Sequence, residues 1–387
     1  MKAIELFVGA GGLGMGTARA GFEHVAVVEW NHDACETIRA NQERGVSPVE
    51  KWPLFETDAR TFDFRQFADK LDLVAGGPPC QPFSIAGKHR GNQDDRDMFP
   101  QAVRAVREIR PKAFLFENVR GLTRQSFAHY FEYILLQLQY PEIARGEGEV
   151  WLEHLSRLER HHTGGLFDGL RYNIVFRVLN AADYGVPQKR ERVFIVGFRS
   201  DLSTQWAFPN PSHTREALQW SKWVSGEYWE QHRVARRNRP QPKPDELAAL
   251  SGRLFPAGGR WRTVRDAITD LPDPQRPHKA EFFNHDYQSG ARVYPGHTGS
   301  PLDEPAKTLK AGAHGVPGGE NMVVLPDGSV RYFTVRETAR LQTFPDNYVF
   351  RGSWGENMRQ LGNAVPVTLA GVVADSVRAQ LDGEARG

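Results

Sequence analysis

Residues 4–14 read Ile4-Glu5-Leu6-Phe7-Val8-Gly9-Ala10-Gly11-Gly12-Leu13-Gly14. A short apolar run passes here into a glycine-rich turn and then into a helical stretch, which predicts a strand, a tight turn and a helix in that order. Gly9, Gly11 and Gly14 fit the pattern G-x-G-x-x-G, and Glu29 lies 20 residues beyond Gly9. Glycines let a backbone approach a ligand closely, and an acid at this spacing can accept hydrogen bonds from a ribose. The stretch therefore predicts a nucleotide-containing ligand, although a plain turn also fits it.

Strands alternate with helices along the first ~200 residues, which is the usual length of one α/β domain. Helical spacing over Phe99–Ile109 lies between two apolar runs that each end in a polar cluster. Strands are predicted at Ile4–Val8, His24–Val28, Leu71–Ala75, Ala113–Phe116, Asn173–Leu179 and Arg192–Phe198. The alternation predicts an α/β fold with a doubly wound, mostly parallel sheet. Its functional residues are expected where the strands end.

The second half of the chain has a different pattern. From about Ser200 to Arg331 the periodicity fails and Pro, Gly, Trp and Arg dominate, which predicts a smaller, irregular domain. Helical spacing returns over Thr334–Gln342, with Thr334 as the cap and Glu337 three residues later. A final helix is predicted at Gly362–Leu381.

Composition limits the class of protein. The chain has 387 residues, the length of two or three domains, and its 25% of charged residues is ordinary for a globular protein. Cys35 and Cys80 are its two cysteines, which excludes a disulfide framework or a cysteine zinc cluster and indicates a reducing compartment. No window approaches 18 uncharged apolar residues, and Met1–Val8 does not read as a signal peptide. We therefore expect a soluble, cytoplasmic protein.

Basic residues are concentrated in one segment. Between Arg199 and Arg265 there are 12 basic and 6 acidic residues, although the net charge of the whole chain is only +2. The same segment holds five of the nine Trp residues and the run Arg236-Arg237-Asn238-Arg239. Arginines interleaved with aromatic residues are expected of a nucleic-acid surface. A solvated, Arg-rich face of an ordinary domain explains the composition equally well.

Three further clusters could carry chemistry. Gly76-Gly77-Pro78-Pro79-Cys80 fixes the backbone just before a cysteine at a predicted sheet edge, so Cys80 is a candidate nucleophile. Glu117 ends the next strand and could act as a general acid if burial raises its pKa, although a lone Glu is more often a cap or a solvent-facing residue. Arg190 and Arg192 alternate, so both face one way and could lie over an anion or carbonyl, or form surface ion pairs.

In this order the motifs resemble those of the DNA (cytosine-5)-methyltransferases, in particular the single-chain bacterial or phage enzymes usually paired with a restriction endonuclease. The matching positions are Phe7-x-Gly9-x-Gly11-Gly12, Glu29-Trp30, Asp58, Pro79-Cys80-Gln81, Glu117-Asn118-Val119, Gln188-x-Arg190-x-Arg192, Arg336-Glu337 through Phe344-Pro345, and Gly362-Asn363-x-Val365. The match covers both ends of the chain and gives almost nothing over Ser200–Arg331, where that family keeps its variable target-recognition domain.

The resemblance implies a mechanism. Cys80 as a thiolate would add to carbon 6 of a cytosine flipped out of duplex DNA, while Glu117 hydrogen-bonds or protonates ring nitrogen 3. Arg192 would hold the base oxygen, with Arg190 close by. Carbon 5 would then take the methyl group of S-adenosylmethionine, and loss of its proton would expel Cys80 and leave 5-methylcytosine and S-adenosylhomocysteine. No metal is implied.

The resemblance also implies a set of binding residues. Glu29 would accept from the ribose, Trp30 would pack on the adenine and Asp58 would meet the adenine amino group. The complete implied cofactor set is Phe7, Gly9, Ala10, Gly11, Gly12, Leu13, Glu29, Trp30, Asp58, Ala59, Pro79, Met98, Asn363 and Val365. The expected DNA contacts are Gln81, Ser84 and Arg96, which match family positions, together with Arg236, Arg237 and Arg239 from the basic run.

The implied organisation is discontinuous. Residues 1–199 and 354–387 would form a Rossmann-like S-adenosylmethionine-dependent catalytic domain, residues 200–333 the target-recognition domain, and residues 334–353 a connecting helix and hinge. The implied partners are double-stranded DNA and a separately acting restriction endonuclease, and the chain is expected to be a monomer. Two departures are visible. The stretch from Tyr140 to Gly165 is longer than in compact members, and Ala59-Arg60 after Asp58 leaves the adenine wall open.

Three alternatives remain. A transfer-RNA cytosine-5 methyltransferase of similar fold would carry Cys-Phe-Thr near its last helix, whereas this chain has Tyr332-Phe333-Thr334. A nicotinamide-dependent dehydrogenase would explain only the glycine-rich turn. A catalytically inactive DNA-binding regulator would have no need for Cys80, Glu117 and Arg192 together.

Overall fold

The computed structural model describes residues 1–79, 97–165, 168–202, 204–242, 256–277, 282–293, 298–311 and 321–384, together with positions 244, 250 and 295. Its largest sheet has seven strands. They are β1 (Lys2–Leu6), β2 (Glu23–Glu29), β3 (Leu54–Glu56), β4 (Leu73–Gly76), β5 (Ala113–Val119), β6 (Tyr172–Asn180) and β7 (Glu191–Arg199). Their order is β3-β2-β1-β4-β5-β7-β6, in which β1 to β5 are parallel and β7 is antiparallel to both neighbours.

Eleven helices have α geometry within the part of the chain that the structure describes. They are α1 (Gly12–Arg19), α2 (His32–Glu43), α3 (Phe99–Ile109), α4 (Ala128–Gln139), α5 (Trp151–Gly164), α6 (Arg215–Trp223), α7 (Glu227–Gln231), α8 (Val264–Ile268), α9 (Val335–Leu341), α10 (Trp354–Asn363) and α11 (Val367–Glu384). No helix among the described residues is both long and apolar enough to cross a membrane.

Both faces of the sheet are covered. Alternate side chains of β1, β4 and β5 pack on one face with α3, α4 and α5, in a core that includes Ile4, Val74 and Phe114. The intervening side chains pack on the other face with α1 and α11. Because strand side chains alternate between faces, this two-sided burial explains the continuous apolar runs in the sequence. The expected α/β, doubly wound fold is confirmed.

The contact between α1 and α11 is close enough to require glycine. A Cβ built on Gly16 would lie 2.4 Å from Cβ of Ala370 and 2.6 Å from the backbone nitrogen of Gly371. A Cβ on Gly12 would lie 2.2 Å from the carbonyl oxygen of Val365. The first and last helices of the fold therefore pack backbone against backbone.

The region after β7 holds short elements. Strands β8 (His213–Thr214) and β9 (Gly259–Arg260) form one small sheet, and β10 (Ser300–Pro301), β11 (Met322–Val324) and β12 (Val330–Tyr332) form another. Helix α9 joins this region to the glycine-rich turn: its Val335 and Ala339 share a buried cluster with Val8 and Ala10.

The predicted elements need some corrections. The predicted helix Phe99–Ile109 is found with those bounds, and Thr334 and Glu337 form a capping box at α9, which ends one residue earlier than expected, at Leu341. The single helix predicted at Gly362–Leu381 is wrong. Pro366 has no backbone N–H to donate and separates α10 from α11, so Gly362 lies near the end of the earlier helix.

Three strand predictions also need correction. The strand predicted at Leu71–Ala75 is found at Leu73–Gly76. The first strand ends at Leu6 rather than Val8, because Phe7 has a φ of 57° and leaves the sheet. Strand β5 continues beyond Phe116 through Glu117 and Asn118.

Candidate active site

The carboxyl ends of β1, β2, β4 and β5 meet at one edge of the sheet, and the predicted catalytic acid lies there. Glu117 lies two residues before the end of β5, and its side chain is buried, with 6% of the residue exposed. A Cβ on Gly77 would lie 3.3 Å from Oε2 of Glu117, so the chain after β4 passes directly beside the carboxyl group. Asn118 Nδ2 donates to the carbonyl oxygen of Pro78 at 2.8 Å and holds the two strand ends together.

Glu117 faces a cation on the neighbouring strand. Arg192 is the second residue of β7, and its Nε lies 2.9 Å from Oε1 of Glu117. The contact is an ion pair rather than a well-aligned hydrogen bond, because Oε1 has no hydrogen-bond partner in the part of the chain that the structure describes. Burial raises the pKa of the Glu117 carboxyl, and the positive charges of Arg192 and Arg190 oppose that rise. This geometry gives a buried carboxyl that can hold a proton beside a fixed positive charge.

Arg190 has a different environment from Arg192. It is fully buried, and its guanidinium donates to the carbonyl oxygen of Leu309 at 3.1 Å and to that of Gly362 at 2.6 Å. These contacts tie the start of β7 to the end of α10 and to the segment around Leu309. The structure therefore places Arg190 behind the site, where it can position Arg192.

The glycine-rich turn forms the floor of the site. Gly9 and Gly11 have φ values of 54° and 85°, which glycine adopts without strain. Glu29 ends β2 and accepts hydrogen bonds from the backbone N–H groups of Gly9, Trp30 and Asn31 at 2.8, 3.0 and 2.8 Å. Burial raises the pKa of Glu29, and the three N–H donors oppose that rise. The carboxylate is thus fixed in place with acceptor capacity left for a ligand.

A cavity of about 500 Å³ connects these features. Glu117 and Arg192 line it, whereas Gly11 and Arg190 do not. The other residues of the predicted cofactor set all line it, namely Phe7, Gly9, Ala10, Gly12, Leu13, Glu29, Trp30, Asp58, Ala59, Pro79, Met98, Asn363 and Val365. The structure thus brings together, around one cavity, residues that are far apart in the sequence.

Some predicted positions lie outside the described residues. These are Cys80, Gln81, Ser84 and Arg96. Pro79, immediately before Cys80, lines the cavity, and its carbonyl oxygen accepts from the backbone N–H of Met98 at 3.0 Å. No group of three or more His, Cys, Asp or Glu side chains placed to hold a metal ion occurs in the described ranges.

Sequence reasoning missed several lining residues. Arg359 and Gln360 precede Asn363 by one helical turn, so they share its face of α10, and this spacing could have identified them. Arg359 donates to Asn31 Oδ1 at 2.8 Å. Gln360 Oε1 is buried without a hydrogen-bond partner among the described residues. Thr57 and Arg60 also line the cavity, on either side of Asp58.

The three arginines of the basic run at residues 236–239 have different environments in the structure. Arg236 and Arg237 are exposed on a short 3-10 turn, Arg236–Asn238. Arg239 instead donates to the carbonyl oxygen of Val234 at 3.1 Å and lies over the Trp229 ring.

The family model described as C-5 cytosine-specific DNA methylase matches residues 1–140 and 157–379. The chain belongs to this family of DNA cytosine-5 methylases. The short gap in the match, residues 141–156, falls within the longer stretch noted from Tyr140 to Gly165. The methylase family uses S-adenosylmethionine as methyl donor, in agreement with the expected cofactor.

Relatives and solved structures resemble this methylase along most of its length. It is 33% identical to Type II methyltransferase M.PspPI of Psychrobacter sp. (strain TA137), over 97% of this chain and 78% of that protein. It is 34% identical to Type II methyltransferase M.Eco47II of Escherichia coli, over 98% of this chain and 79% of that protein. The S. pombe Dnmt2 methyltransferase superposes with a TM-score of 0.57 at 18% identity, over 99% of both chains, and shows the shared fold alone.

Proposed function

We propose that this methylase transfers the methyl group of S-adenosylmethionine to carbon 5 of a flipped-out cytosine within a short duplex DNA sequence, with Cys80, Glu117 and Arg192 in contact with the base. The observation that supports this most directly is the pairing of a buried Glu117 with Arg192 on the wall of the cavity that also holds the cofactor residues. A base placed in that cavity would meet an acid and a cation at once.

Each residue has a separate part in the proposal. Cys80 as a thiolate forms a bond to carbon 6 of the ring, which makes carbon 5 nucleophilic. Glu117 gives its proton, or a hydrogen bond, to ring nitrogen 3, so negative charge does not accumulate on the ring. Arg192 holds the base oxygen and balances the charge that remains on Glu117. Arg190 supports Arg192 from behind. Release of the carbon 5 proton then breaks the bond to Cys80.

The residues around the cavity fit S-adenosylmethionine, which supplies the methyl group when bound. Trp30 lies on the cavity wall and is 68% exposed, which leaves its ring free to stack on the adenine of the ligand. Glu29 retains acceptor capacity for ribose hydroxyls, and the unpartnered Oε1 of Gln360 supplies another buried acceptor. Asp58 and Ala59 would meet the adenine, and the backbone from Phe7 to Leu13, with Asn363 and Val365, would hold the methionine part.

The domain division is part of the proposal. Residues 1–199 and 354–387 would act as the catalytic domain, residues 200–333 as the target-recognition domain and residues 334–353 as the connection. Arg236 and Arg237 would contact DNA there. Because its relatives are Type II methyltransferases, we propose that the enzyme protects a recognition site from a separate endonuclease, acts in the cytosol as a monomer and releases S-adenosylhomocysteine.

The test is transfer of a labelled methyl group from S-adenosylmethionine to mixed duplex DNA, with bisulfite-type sequencing of the product. Methylated cytosines are expected in one short recurring sequence. Label in transfer RNA but not in DNA would overturn the proposed substrate. Label in neither would overturn the assignment of the cofactor site.

The proposed nucleophile has a matched control in the same chain. Cys80→Ser is expected to abolish methyl transfer and leave S-adenosylhomocysteine and duplex binding within a few-fold of wild type, since serine is a much weaker nucleophile. Cys35 is buried, and burial raises the pKa of its thiol to about 12, so Cys35→Ala should retain activity. Full activity of Cys80→Ser would remove Cys80 from the mechanism.

A further inference from the structure

The guanidinium group of Arg104, on α3, contacts both the loop at residues 59–62 and neighbouring side chains of its own helix. Nη2 donates to the carbonyl oxygens of Ala59 and Phe62 at 2.5 and 3.1 Å. Nη1 and Nε are held on the helix side by Glu108 Oε2 at 3.1 Å and Gln101 Oε1 at 2.9 Å. The guanidinium plane also lies over the Phe64 ring, 4.5 Å from its centroid. No side chain with a single donor atom could make these contacts together.

The loop that Arg104 holds contains the acid beside the adenine wall. Asp58 Oδ2 accepts from Arg60 Nε and Nη2 at 2.9 and 2.7 Å, and its Oδ1 accepts from the backbone N–H of Arg60 at 2.8 Å. Hydrogen bonds from Arg60 lower the pKa of the Asp58 carboxyl, so it is an acceptor at neutral pH. Asp58, Ala59 and Arg60 all line the cavity. The loop follows β3, which has three residues and is partly exposed, so side-chain contacts such as those of Arg104 contribute to the position of the loop.

Arg104 therefore joins two walls of one cavity. Met98 lines the cavity directly before α3, and Arg104 lies on the second turn of that helix. Moving the 58–62 loop away from α3 would widen the cavity between Met98 and Asp58. A shift of even 1 Å would lengthen any hydrogen bond from a ligand to Asp58 beyond its useful range.

We propose that Arg104 is a positioning residue that makes the cofactor site selective for the 6-amino group of adenine, by holding the Asp58 loop at hydrogen-bond distance from that group. The inference rests on the proposed function, since it takes S-adenosylmethionine as the ligand. The inference goes beyond the proposed function because it assigns ligand selectivity to a side chain that does not line the cavity.

The experiment compares two ligands on the full-length protein by isothermal titration. S-adenosylhomocysteine carries the 6-amino group, and S-inosylhomocysteine carries a 6-oxo group that cannot donate to Asp58. Wild type should bind the amino ligand on the order of ten-fold more tightly, the usual value of a hydrogen bond to a charged acceptor. In Arg104→Gln and Arg104→Lys this ratio should shrink to about two- to three-fold, because only the amino ligand loses a contact.

The ratio separates positioning from general damage to the fold. An inactive fraction of protein changes the apparent number of sites but leaves both dissociation constants unaltered, so the ratio survives partial unfolding. Arg107→Gln is the matched control, since Arg107 lies one turn further along α3 and makes no hydrogen bond or ion pair among the described residues. It should keep the wild-type ratio.

The outcomes are distinct. If both affinities fall by the same factor in the Arg104 variants, or neither falls, Arg104 has no part in selectivity and the inference is wrong while the proposed function stands. If wild type binds both ligands equally, the inference is also wrong. If wild type binds neither, the proposed function itself fails.

Discussion

Glu117 shows at the scale of one residue how the site sets its own chemistry. Its carboxyl is removed from water, which favours the protonated form, but Arg192 lies 2.9 Å away and favours the ionised form. Burial is the larger effect, so the pKa stays above its ordinary value. In the proposed reaction, the same cation would stabilise the carboxylate once the proton has moved to the base, so one pair of side chains would serve both stages.

We expect Glu117→Gln to lower kcat by about 10² to 10⁴, the usual contribution of a general acid. Because the protonated form is the active one and its pKa is raised, the wild-type rate should fall as pH rises through that pKa. The variant should lack this limb of the kcat–pH profile. A variant with wild-type kcat and an unchanged profile would exclude Glu117 as the acid.

Thermal unfolding supplies the control for this variant. A carboxyl whose pKa is higher in the folded than in the unfolded state stabilises the fold at pH below its unfolded value, and this contribution is lost as pH rises through the folded value. Glu117→Gln carries no charge at any pH. It should therefore gain stability relative to wild type as pH increases, which a merely misfolded variant would not do.

Among the elements, those with a local physical cause could be predicted from the sequence. Helix α3 has regular apolar spacing and stops before Pro111, and α9 has Thr334 and Glu337 as a capping box. The last helix was predicted wrongly because apolar spacing continues across Pro366 while the backbone does not. Strand β3 was missed, since three partly exposed residues give no alternation that can be recognised.

The packing of α1 on α11 gives a prediction about stability. Gly16→Ala should lower the free energy of unfolding by about 1–3 kcal/mol, because the added methyl meets Ala370 and the backbone of Gly371. Alanine is intrinsically better than glycine in a helix by about 1 kcal/mol, so a destabilised variant means that crowding prevails.

Gly164→Ala is the counterpart, measured by the same denaturant titration. No atom of the described residues lies within 4 Å of a Cβ at Gly164, at the end of α5. It should be neutral or slightly stabilising. If both variants behaved alike, the close approach of α1 and α11 would have no energetic importance.

Across the whole molecule, the cavity could be predicted only in part. The glycine-rich turn and Glu29 could be identified because each lies where a predicted strand ends, whereas Asp58 was identified only through the resemblance to the methyltransferase family. Arg359 and Gln360 reach the same cavity from α10, and their spacing from Asn363 on one helix was the signal that could have identified them. The role of Arg190 instead depends on carbonyl groups of Leu309 and Gly362, more than 100 residues further along the chain. Such contacts leave no periodic signal in the sequence.

The distribution of charge leads to a prediction for DNA binding. Arg236→Gln with Arg237→Gln should weaken duplex binding and reduce the slope of log K against log salt by about one unit or more, since each neutralised phosphate contributes about 0.9. Arg239→Gln should change the slope little, because Arg239 is held by Val234 and Trp229.

The control lies at the opposite end of the sheet. Lys70 is exposed just before β4, away from the edge that carries Glu117, and Lys70→Gln should leave the slope unchanged. A double arginine variant with the wild-type slope would place the DNA elsewhere on the protein.

The wall that Arg359, Gln360, Asn363 and Val365 contribute to the cavity has a consequence for synthesis. A ribosome makes the glycine-rich turn, Glu29 and Glu117 early, but it completes the cavity only when the segment after the irregular domain has emerged. In the proposed function, S-adenosylmethionine is therefore expected to stabilise a newly made chain only after the segment that contains α10 has emerged, when the irregular domain has already been made.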